Sequence, residues 1–421
     1  MIQKPKGTQD IYGKKAKTIK YLEKLIESVA EKYNFSYSRT PVFERSEVFH
    51  RGVGDTTDIV TKETYDFIDR GNRQMTLRPE GTAALVRCFL ENKLYSENIN
   101  KFWYFEPMFR YERPQSGRFR EHYQFGFEVF GSNDPMLDAE IISIPVTIYK
   151  LLGLKGIKVN VNTLGDAESR KNYRIALINY FKPYINDLCD DCKQRLEKNP
   201  LRILDCKVDC EKEIMKNIPK MSDYLNDESK VFFESVKKYL DAYEINYEVK
   251  DTLVRGLDYY THTVFEVEAD IKGFGAQNVL CGGGRYNSLI KTLDGPDTPA
   301  LGFGMGVERL MNALEAEEIV VGDKKTLDCF IITISDNEKT YAAKLLYDLR
   351  INGFSVDADY LSKNLKGQFK EADKYNSKFI IILGEEEVKT GMLTVKDMIL
   401  KEENKIYKEE IIDFLDMNVG D

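Results

Sequence analysis

Residues 102–131 read FWYFEPMFRYERPQSGRFREHYQFGFEVFG, and this stretch decides the fold because a basic centre joins two aromatic segments. Four arginines, Arg110, Arg113, Arg118 and Arg120, fall within eleven residues of that centre. Residues that favour β-structure on both sides of a polar, glycine-containing turn predict an antiparallel hairpin. The hairpin therefore presents a positive tip between two strands that are apolar enough to be buried.

The two faces of the predicted hairpin differ in character. Side chains alternate between the faces of a strand, so Phe125, Phe127 and Val129 share one apolar face. The opposite face carries polar side chains around a glycine: Arg110, Glu112, Gln124, Gly126 and Glu128. A solvated face is the simplest explanation. Arginines clustered beside a glycine favour instead a floor for a polyphosphate or nucleic-acid ligand.

The composition is typical of a globular protein with two or three domains: 421 residues, 42% of them apolar and 31% charged. The net charge of −8 argues against a protein that coats nucleic acid through bulk charge, although local basic patches can still bind RNA. Seven cysteines, no apolar leader in MIQKPKGTQD and no apolar run long enough to span a bilayer predict a cytoplasmic protein without a membrane segment.

The pattern of the sequence changes several times along the chain. Apolar spacing predicts helices over 14–33 and 137–152, with short strands between them. Residues 169–247 are helix-rich and charged, and the β pattern resumes at residue 253. From residue 327, strands alternate with helices, which predicts a small, mostly parallel α/β domain. We therefore expect one sheet domain interrupted by a helical insertion and followed by an α/β domain.

The two common nucleotide-binding loops are absent from the sequence. It contains no GxxxxGK[ST], and GFGMG at 302–306 is followed by Val307 where a GxGxxG loop needs its last glycine. Phosphate groups must therefore be held by side chains on a sheet.

Three segments resemble the signature motifs of class II aminoacyl-tRNA synthetases. FRYE (109–112) is similar to motif 2, and GFGMGVERL (302–310) is similar to motif 3. Pro41 in YSRTPVFE (37–44) resembles the proline of motif 1, which lies at a dimer interface.

Further segments narrow the resemblance to the histidyl-tRNA synthetase family. LVRGLDYY (253–260) and GGGRY (282–286) resemble its histidine-specific motifs, and RGLDYY is highly specific. TLRPEGTA (76–83) and NPLRILDCK (199–207) also match, so the resemblance extends over essentially the whole chain. One departure is RYNSL at 285–289, where the family usually has RYDGL.

The resemblance implies the class II synthetase fold, an α+β catalytic domain built on an antiparallel sheet. The implied parts are a catalytic domain at 1–166 and 252–325, a helical insertion domain at 167–251 and a small α/β anticodon-binding domain at 326–421. The implied reaction is ATP-dependent ligation of L-histidine to tRNA(His) through a histidyl-adenylate, which releases AMP and pyrophosphate. The implied assembly is a homodimer.

The resemblance also assigns residues to ATP. Arg110 and Arg255 would be catalytic and approach the α-phosphate from opposite sides. Arg110 would also bind ATP together with Glu112 on the adenine amino group, Arg118 on the outer phosphates and Arg309 on the nucleotide. Mg²⁺ would accompany ATP as part of the substrate. Displacement at phosphorus depends on positioning and charge neutralisation, which arginines supply.

A histidine pocket must recognise an α-ammonium group and an imidazole. An ammonium group pairs with carboxylate and carbonyl oxygens, and each ring nitrogen of an imidazole needs a polar partner. The residues expected there are Glu80, Gly81, Thr82, Gln124, Glu128, Tyr259 and Tyr260. Because neighbouring residues of a strand point in opposite directions, we expect Tyr260 rather than Tyr259 to be the principal tyrosine contact.

The hairpin tip is expected to meet the acceptor stem of the tRNA. Arg113, Gln115 and Arg120 are the residues assigned to this contact. Phosphate contacts of this kind position an RNA, whereas contacts to base edges specify it.

Four cysteines cluster in the insertion. Cys189, Cys192, Cys206 and Cys210 form C-x2-C-x13-C-x3-C, which approximates a structural zinc pattern. The alternative is free thiols in a charged helical segment, and the second spacing departs from the commonest one. The resemblance does not require zinc, so we assign no metal ligand and leave a structural zinc ion open.

Two other functions stay open. A histidyl-tRNA synthetase-like regulatory subunit of ATP phosphoribosyltransferase would keep the fold but typically lose catalytic residues and the anticodon domain. This chain keeps Arg110, Arg255 and Arg309, and its last ~95 residues suffice for a whole domain. A general nucleotide-binding α/β protein would explain the arginines but not RGLDYY.

Overall fold

Mixed β-sheets organise the two units of the chain, which are residues 1–322 and 323–421. The structure is a computed structural model that describes residues 2–54, 57, 59–96, 99–113, 117–271, 278–322 and 326–419. No helix within these ranges is long and apolar enough to cross a bilayer.

The first unit is built on one large sheet and one small sheet. Its described strands are β1 (Ser36–Tyr37), β2 (Phe43–Arg45), β3 (Tyr65–Ile68), β4 (Gln74–Leu77), β5 (Asn100–Phe109), β6 (Glu121–Phe130), β7 (Ile157–Thr163), β8 (Tyr247–Val249), β9 (Thr261–Ala269), β10 (Val279–Arg285) and β11 (Ala300–Gly306). The large sheet has the order β1-β5-β6-β11-β10-β9-β7-β8, and the small sheet has the order β2-β4-β3. The centre of the large sheet is antiparallel, whereas the edge pairs β1–β5 and β7–β8 are parallel.

Helices cover the large sheet and connect its strands. The described helices of this unit are α1 (Gly13–Lys32), α2 (Ser46–Val53), α3 (Thr82–Glu91), α4 (Pro135–Leu151), α5 (Ala167–Phe181), α6 (Asp190–Lys198), α7 (Asp227–Ala242), α8 (Leu289–Thr292) and α9 (Val307–Ala316). The predicted helices over 14–33 and 137–152 are confirmed as α1 and α4. Both pack their apolar stripes into the main core.

The predicted hairpin is confirmed as β5 and β6, which pair in register from Asn100 with Phe130 to Phe109 with Glu121. Its apolar face is buried as the alternation predicts: Phe125, Phe127 and Val129 are fully enclosed. The ring of Phe127 stacks on Phe303 of β11 with centroids 5.3 Å apart. Burial of this face directs the polar face of β6 to the other side of the sheet.

One detail of the predicted hairpin is wrong. Arg110 and Glu112 do not share a strand face, because β5 ends at Phe109. The Arg110 N–H still donates to the carbonyl of Arg120 at 2.8 Å, but the Glu112 N–H turns back to the Arg110 carbonyl at 2.8 Å. This tight turn takes Glu112 out of the ladder.

The range predicted as a helical insertion, 167–251, contains α5, α6 and α7 and several 3-10 turns. Its last part differs from the prediction, because Tyr247–Val249 is β8, which pairs with β7 at the edge of the large sheet. Helix α7 packs against α4. The residues that follow the charged helical stretch thus belong to the sheet layer.

The second unit is an α/β fold of five described strands and four described helices. They are β12 (Cys329–Thr333), α10 (Lys339–Ile351), β13 (Val356–Ala358), α11 (Leu365–Lys374), β14 (Phe379–Leu383), α12 (Glu385–Thr390), β15 (Met392–Asp397), β16 (Glu403–Tyr407) and α13 (Ile411–Val419). The sheet order is β13-β12-β14-β15-β16. The expectation of a mostly parallel sheet is wrong, since only β12 pairs in parallel, with β13 and β14. The connections 384–391 and 398–402 are too short for a parallel crossover.

Candidate active site

A row of glycines opens the polar face of the large sheet. Gly282 of β10 lies opposite Gly304 of β11, which in turn lies opposite Gly126 of β6. Glu266 of β9 and Tyr104 of β5 end this row. Three neighbouring positions without side chains leave space above the sheet backbone, and the side chains of Arg255, Gln124 and Tyr104 lie over it.

Four arginines surround the glycine row. Burial lowers the pKa of Arg309, and the positive charges of Arg118, Arg110 and Arg255 lower it further, whereas Glu112 acts in the opposite direction. The Glu112 carboxylate lies 3.4 Å from Nη1 of Arg118 and 3.9 Å from Nη1 of Arg110. Because positive charges that act on one another in this way repel, an anionic ligand such as a polyphosphate would be favoured at this place.

Backbone carbonyls hold two of these guanidinium groups. Nε of Arg110 donates to the Pro79 carbonyl at 2.8 Å, and Nη1 of Arg309 donates to the Val279 carbonyl at 3.0 Å. A carbonyl orients a guanidinium group without cancelling its charge, so the site keeps its positive potential.

Arg255 reaches the same place from the loop before β9. Its Nη1 pairs with Glu266, and the guanidinium lies directly over Gly282, where an added Cβ would stand 2.3 Å from Cζ. Nη1 of Arg202 donates to the Arg255 carbonyl at 2.9 Å, and Asn199 donates to Asp258 of the same loop at 2.7 Å. The NPLR segment of the insertion therefore supports the loop that carries Arg255.

Glu128 is a buried carboxylate beside the glycine row. It accepts a hydrogen bond from the Thr82 hydroxyl at 2.7 Å and one from the Tyr286 hydroxyl. Burial raises the pKa of Glu128 to about 8, and the neighbouring Glu80 contributes in the same direction. Gly302 makes room for this side chain, since a Cβ there would lie 1.7 Å from Oε2 of Glu128. A carboxyl group held in this way is suited to a cationic or N–H-donating ligand.

The start of α3 forms the next wall of the site. Glu80 caps this helix, because its carboxylate accepts the backbone N–H groups of Thr82 at 2.7 Å and Ala83 at 2.8 Å. Gly81 lies against the Tyr104 ring, and a Cβ there would stand 2.4 Å from Cζ of that ring. The structure thus places Glu80 and Thr82 of the RPEGT segment beside Glu128.

Gln124 lies on the polar face of β6, as the alternation predicts. Its side chain covers Gly304, where a Cβ would lie 2.2 Å from Nε2. Among the described residues, its buried Oε1 has no hydrogen-bond partner. A buried amide oxygen without a partner is available to a donor on a ligand.

The two tyrosines of RGLDYY do not point in opposite directions, so that expectation is wrong. Their ring centroids are 4.7 Å apart, and Tyr259 also packs edge-on against Tyr286 at 5.4 Å. The reason is that Tyr259 and Tyr260 precede β9 and lie in a turn, where the alternation of a strand does not apply. Burial raises the pKa of Tyr260 to about 12, while the Arg255 charge opposes the rise. Both tyrosines lie near Glu80 and Glu128.

Two of the residues assigned to tRNA, Arg113 and Arg120, lie on the hairpin tip. Arg120 stacks its guanidinium over the Tyr111 ring at 3.9 Å and donates to the Glu112 carbonyl at 3.3 Å. Arg113 is exposed, whereas the assigned Gln115 lies outside the described residues. The tip contacts therefore order Arg120 and leave Arg113 open to solvent.

Three residues of the site were missed by the sequence analysis: Tyr104, Glu266 and Tyr286. Tyr286 ends the quoted motif GGGRY, so its position carried a signal that was not used. Glu266 could have been found from the alternation in β9, since it and Glu268 alternate with the buried Phe265 and Val267. Tyr104 had no local signal, because an aromatic residue in an aromatic strand is typical of a core.

The close approach at Gly282 makes a prediction. In Gly282→Ala, the new methyl group displaces the flexible end of Arg255, so pyrophosphate exchange should fall about tenfold or more while the melting temperature stays near that of the wild type. Gly283→Ala is the matched control, because its Cβ would meet the Gly302 carbonyl oxygen at 2.2 Å and should lower the melting temperature instead. Equal losses of stability in the two variants would contradict this role of Gly282.

The cysteine cluster differs from its predicted membership. Cys189, Cys192 and Cys206 converge with Asp209, and their ligand atoms all lie within 4.8 Å of one another. The expected fourth member, Cys210, is exposed, and its Sγ lies 3.4 Å from the Lys207 carbonyl. Asp209 is fully buried, and the chain turn at 206–210 directs its carboxylate rather than the Cys210 thiol inward.

Known proteins resemble this chain along its length. The family described as "Histidyl-tRNA synthetase" matches residues 7–167 and 204–310, and the family described as "Anticodon binding domain" matches residues 328–418. A histidine--tRNA ligase from Anoxybacillus flavithermus is 50% identical over 407 residues, which are 96% of each chain.

Two solved structures extend the comparison. The apo histidyl-tRNA synthetase of S. aureus has a TM-score of 0.84 and 40% identity, and the match covers 99% of this chain and 100% of that one. A Bacillus halodurans protein titled "ATP phosphoribosyltransferase regulatory subunit/histidyl-tRNA synthetase" has a TM-score of 0.60 at 21% identity, covering 91% of this chain and 98% of that one. The match to the Bacillus halodurans protein shows a similar fold and nothing more.

Proposed function

The chain belongs to the histidyl-tRNA synthetase family, and from that premise we propose how its residues divide the work of charging tRNA(His). The enzyme binds L-histidine, ATP and tRNA(His), and ligates the amino acid to the tRNA through a histidyl-adenylate. The observation that carries the assignment of residues is the convergence of four arginines on a glycine row, next to a buried carboxyl group and two tyrosines.

In the first step, the histidine carboxylate attacks the α-phosphorus of ATP and pyrophosphate leaves. Arg110 and Arg255 flank the α-phosphate and stabilise the negative charge that develops on its oxygens. Arg118 binds the outer phosphates, Arg309 binds the nucleotide, and Glu112 turns from the arginines to the adenine amino group. Mg²⁺ enters with ATP as part of the substrate. Support comes from the guanidinium groups that carbonyls orient without neutralising them.

Histidine occupies the pocket beside the glycine row. Glu80, Thr82 and Gln124 receive the α-ammonium group, and Gly81 provides space at the start of α3. The imidazole is received by Glu128 and by the hydroxyls of Tyr259 and Tyr260. An amino acid whose side chain cannot form these hydrogen bonds would leave buried polar groups unpaired, which costs roughly 10⁴-fold in discrimination. The enclosed position of Glu128 supports this assignment.

In the second step, the terminal ribose hydroxyl of tRNA takes the histidyl group. We assign Arg113, Gln115 and Arg120 to the acceptor stem, and the second unit to the anticodon.

The proposed domain bounds are 1–166 and 252–325 for catalysis, 167–251 for the insertion and 326–421 for anticodon binding. The likeness of residues 328–418 to anticodon binding domains supports the last of these. We place the reaction in the cytoplasm, in keeping with seven free thiols.

We further propose a homodimer whose interface includes the small sheet near Pro41. Phe43, Phe67 and Ile68 are 52%, 42% and 64% exposed, and the first two rings touch with centroids 6.2 Å apart. An exposed apolar patch of this kind is typical of an interface between protein chains.

The dimer proposal makes a prediction. Phe67→Asp places a charge in the patch, so sedimentation equilibrium at micromolar concentration should show a monomer where the wild type is a dimer. Ile399→Asp, at a residue 78% exposed in the second unit, is the matched control and should stay dimeric. A wild-type monomer at these concentrations would contradict the proposal.

Charging of tRNA(His) with labelled histidine tests the function itself. We expect ATP-dependent formation of histidyl-tRNA and histidine-dependent pyrophosphate exchange. Other amino acids should not be attached to the tRNA. Neither reaction is expected of a regulatory subunit of ATP phosphoribosyltransferase or of a general nucleotide-binding protein. If a well-folded preparation showed neither reaction, the proposed function would therefore be ruled out.

A further inference from the structure

The insertion contains a buried cluster that the aminoacylation reaction does not use. We propose that Cys189, Cys192, Cys206 and Asp209 form a structural zinc site. The three sulfur atoms and one carboxylate oxygen all lie within 4.8 Å of one another. Zinc in proteins is bound by four such ligands in a tetrahedral arrangement, and thiolates select it over harder divalent ions.

The spacing of two of the sulfur atoms matches one edge of a tetrahedron around zinc. Cys189 Sγ and Cys206 Sγ are 3.7 Å apart. With Zn–S bonds of about 2.3 Å, the edge of a tetrahedron between two sulfur atoms is about 3.8 Å. The separation of these two sulfur atoms is therefore close to the one that a bound Zn²⁺ ion would require.

The surroundings of the cluster are those of a ligand shell. Cys192 and Asp209 are fully buried, and Cys206 is nearly so. The Asp209 carboxylate accepts the Cys189 N–H at 3.0 Å and pairs with Nζ of Lys212 at 2.7 Å, so both contacts orient it. The Asp209 N–H also donates to the Cys206 sulfur at 3.4 Å. Such outer contacts orient metal ligands, and the lysine offsets the negative charge that three thiolates and a carboxylate leave on a divalent ion.

The local structure gives a reason for a metal. Among the described residues of 182–224, the only α-helix is α6, and the rest consists of 3-10 turns and loops. A short irregular segment has few backbone hydrogen bonds of its own, and a metal that joins its ends contributes directly to folding. In the sequence, Cys192 precedes and Cys206 follows Asn199 and Arg202, which form hydrogen bonds with the loop that carries Arg255. A zinc ion would therefore also hold these two contacts in position, a consequence that rests on the proposed function.

A disulfide between Cys189 and Cys206 is the competing use of the cluster. It would need a sulfur–sulfur distance of about 2.05 Å, and it would leave the Cys192 thiol and the Asp209 carboxylate without a role. The convergence of all four groups favours the metal.

Metal analysis of the full-length chain, purified with reductant and without chelator, tests the site. We expect about one zinc ion per chain in the wild type and in Cys210→Ser, whose residue is the exposed neighbour outside the cluster. Cys192→Ser and Cys206→Ser should each lose most of the metal. A wild type without zinc after purification from zinc-supplemented medium, or equal metal content in all four proteins, would overturn the proposal.

Two measurements on the wild type keep the test independent of how the variants fold. Exchange of zinc for Co²⁺ should give the sulfur-to-cobalt charge-transfer bands and the intense visible bands of a tetrahedral site. A spectrum of octahedral Co²⁺ would overturn the proposal. Thiol titration in denaturant with a chelator, without reductant, should find all seven cysteines, whereas two fewer would indicate the disulfide instead. These readouts do not depend on aminoacylation, so the metal site and the proposed function can fail separately.

Discussion

Arg255→Ala should lower the rate of ATP–pyrophosphate exchange by about 10²–10³-fold, the loss typical when one charge-stabilising donor is removed from a reacting oxyanion. The guanidinium reaches the glycine row from the loop before β9 and lies over Gly282. Binding of tRNA, measured by filter retention, should stay nearly intact because the contacts proposed for tRNA do not include Arg255.

Three further variants test the cause of that loss of exchange rate. Arg51→Ala removes an exposed arginine paired with Asp294 and should leave exchange unchanged. Arg255→Lys keeps the charge but not the planar fork, so it should recover only part of the rate. Glu266→Gln, added to Arg255→Ala, removes the carboxylate that the first change leaves unpaired. Full recovery in that double variant would show that electrostatic repulsion by Glu266 caused the loss, and would contradict a role for Arg255 in the reaction.

Glu128→Gln should raise the KM for histidine by about 10–100-fold, because a hydrogen bond to a charged group is lost in an enclosed pocket. The KM for ATP should change little, since the arginines and the glycine row are untouched. Both constants follow from pyrophosphate exchange with one substrate saturating. Equal losses for both substrates would indicate that Glu128 supports the fold rather than the amino acid.

The pH dependence separates the two roles of Glu128 more sharply. Burial raises the pKa of Glu128 to about 8 in the ligand-free protein, so the group is mostly protonated at neutral pH. If histidine needs the carboxylate form, binding below that pH must expel a proton. Affinity then falls by up to about tenfold per pH unit as the pH drops below 8. Glutamine cannot ionise, so Glu128→Gln should lose this component and keep only the dependence that comes from histidine itself. Identical pH profiles for the two proteins would contradict the proposed coupling.

Local patterns in the sequence were sufficient to predict several elements. The spacing of apolar residues predicted α1 and α4 because one face of each helix must be buried. The alternation in β6 predicted which side chains enter the core and which lie on the opposite, polar face, since a strand exposes its residues alternately. The same rule failed for Tyr259 and Tyr260, because a turn rather than a strand carries them.

The sequence by itself therefore determined the family, the polar sheet face of the proposed site and the arginines assigned to it, because these depend on motifs and on periodicity over a few residues. Only the tertiary structure decided the cross-strand alignment of Gly126, Gly282 and Gly304, the pairing of Arg255 with Glu266 and the replacement of Cys210 by Asp209 in the buried cluster. The physical reason is that strand register and chain turns bring together residues that are far apart in the chain, and no local pattern records those distances.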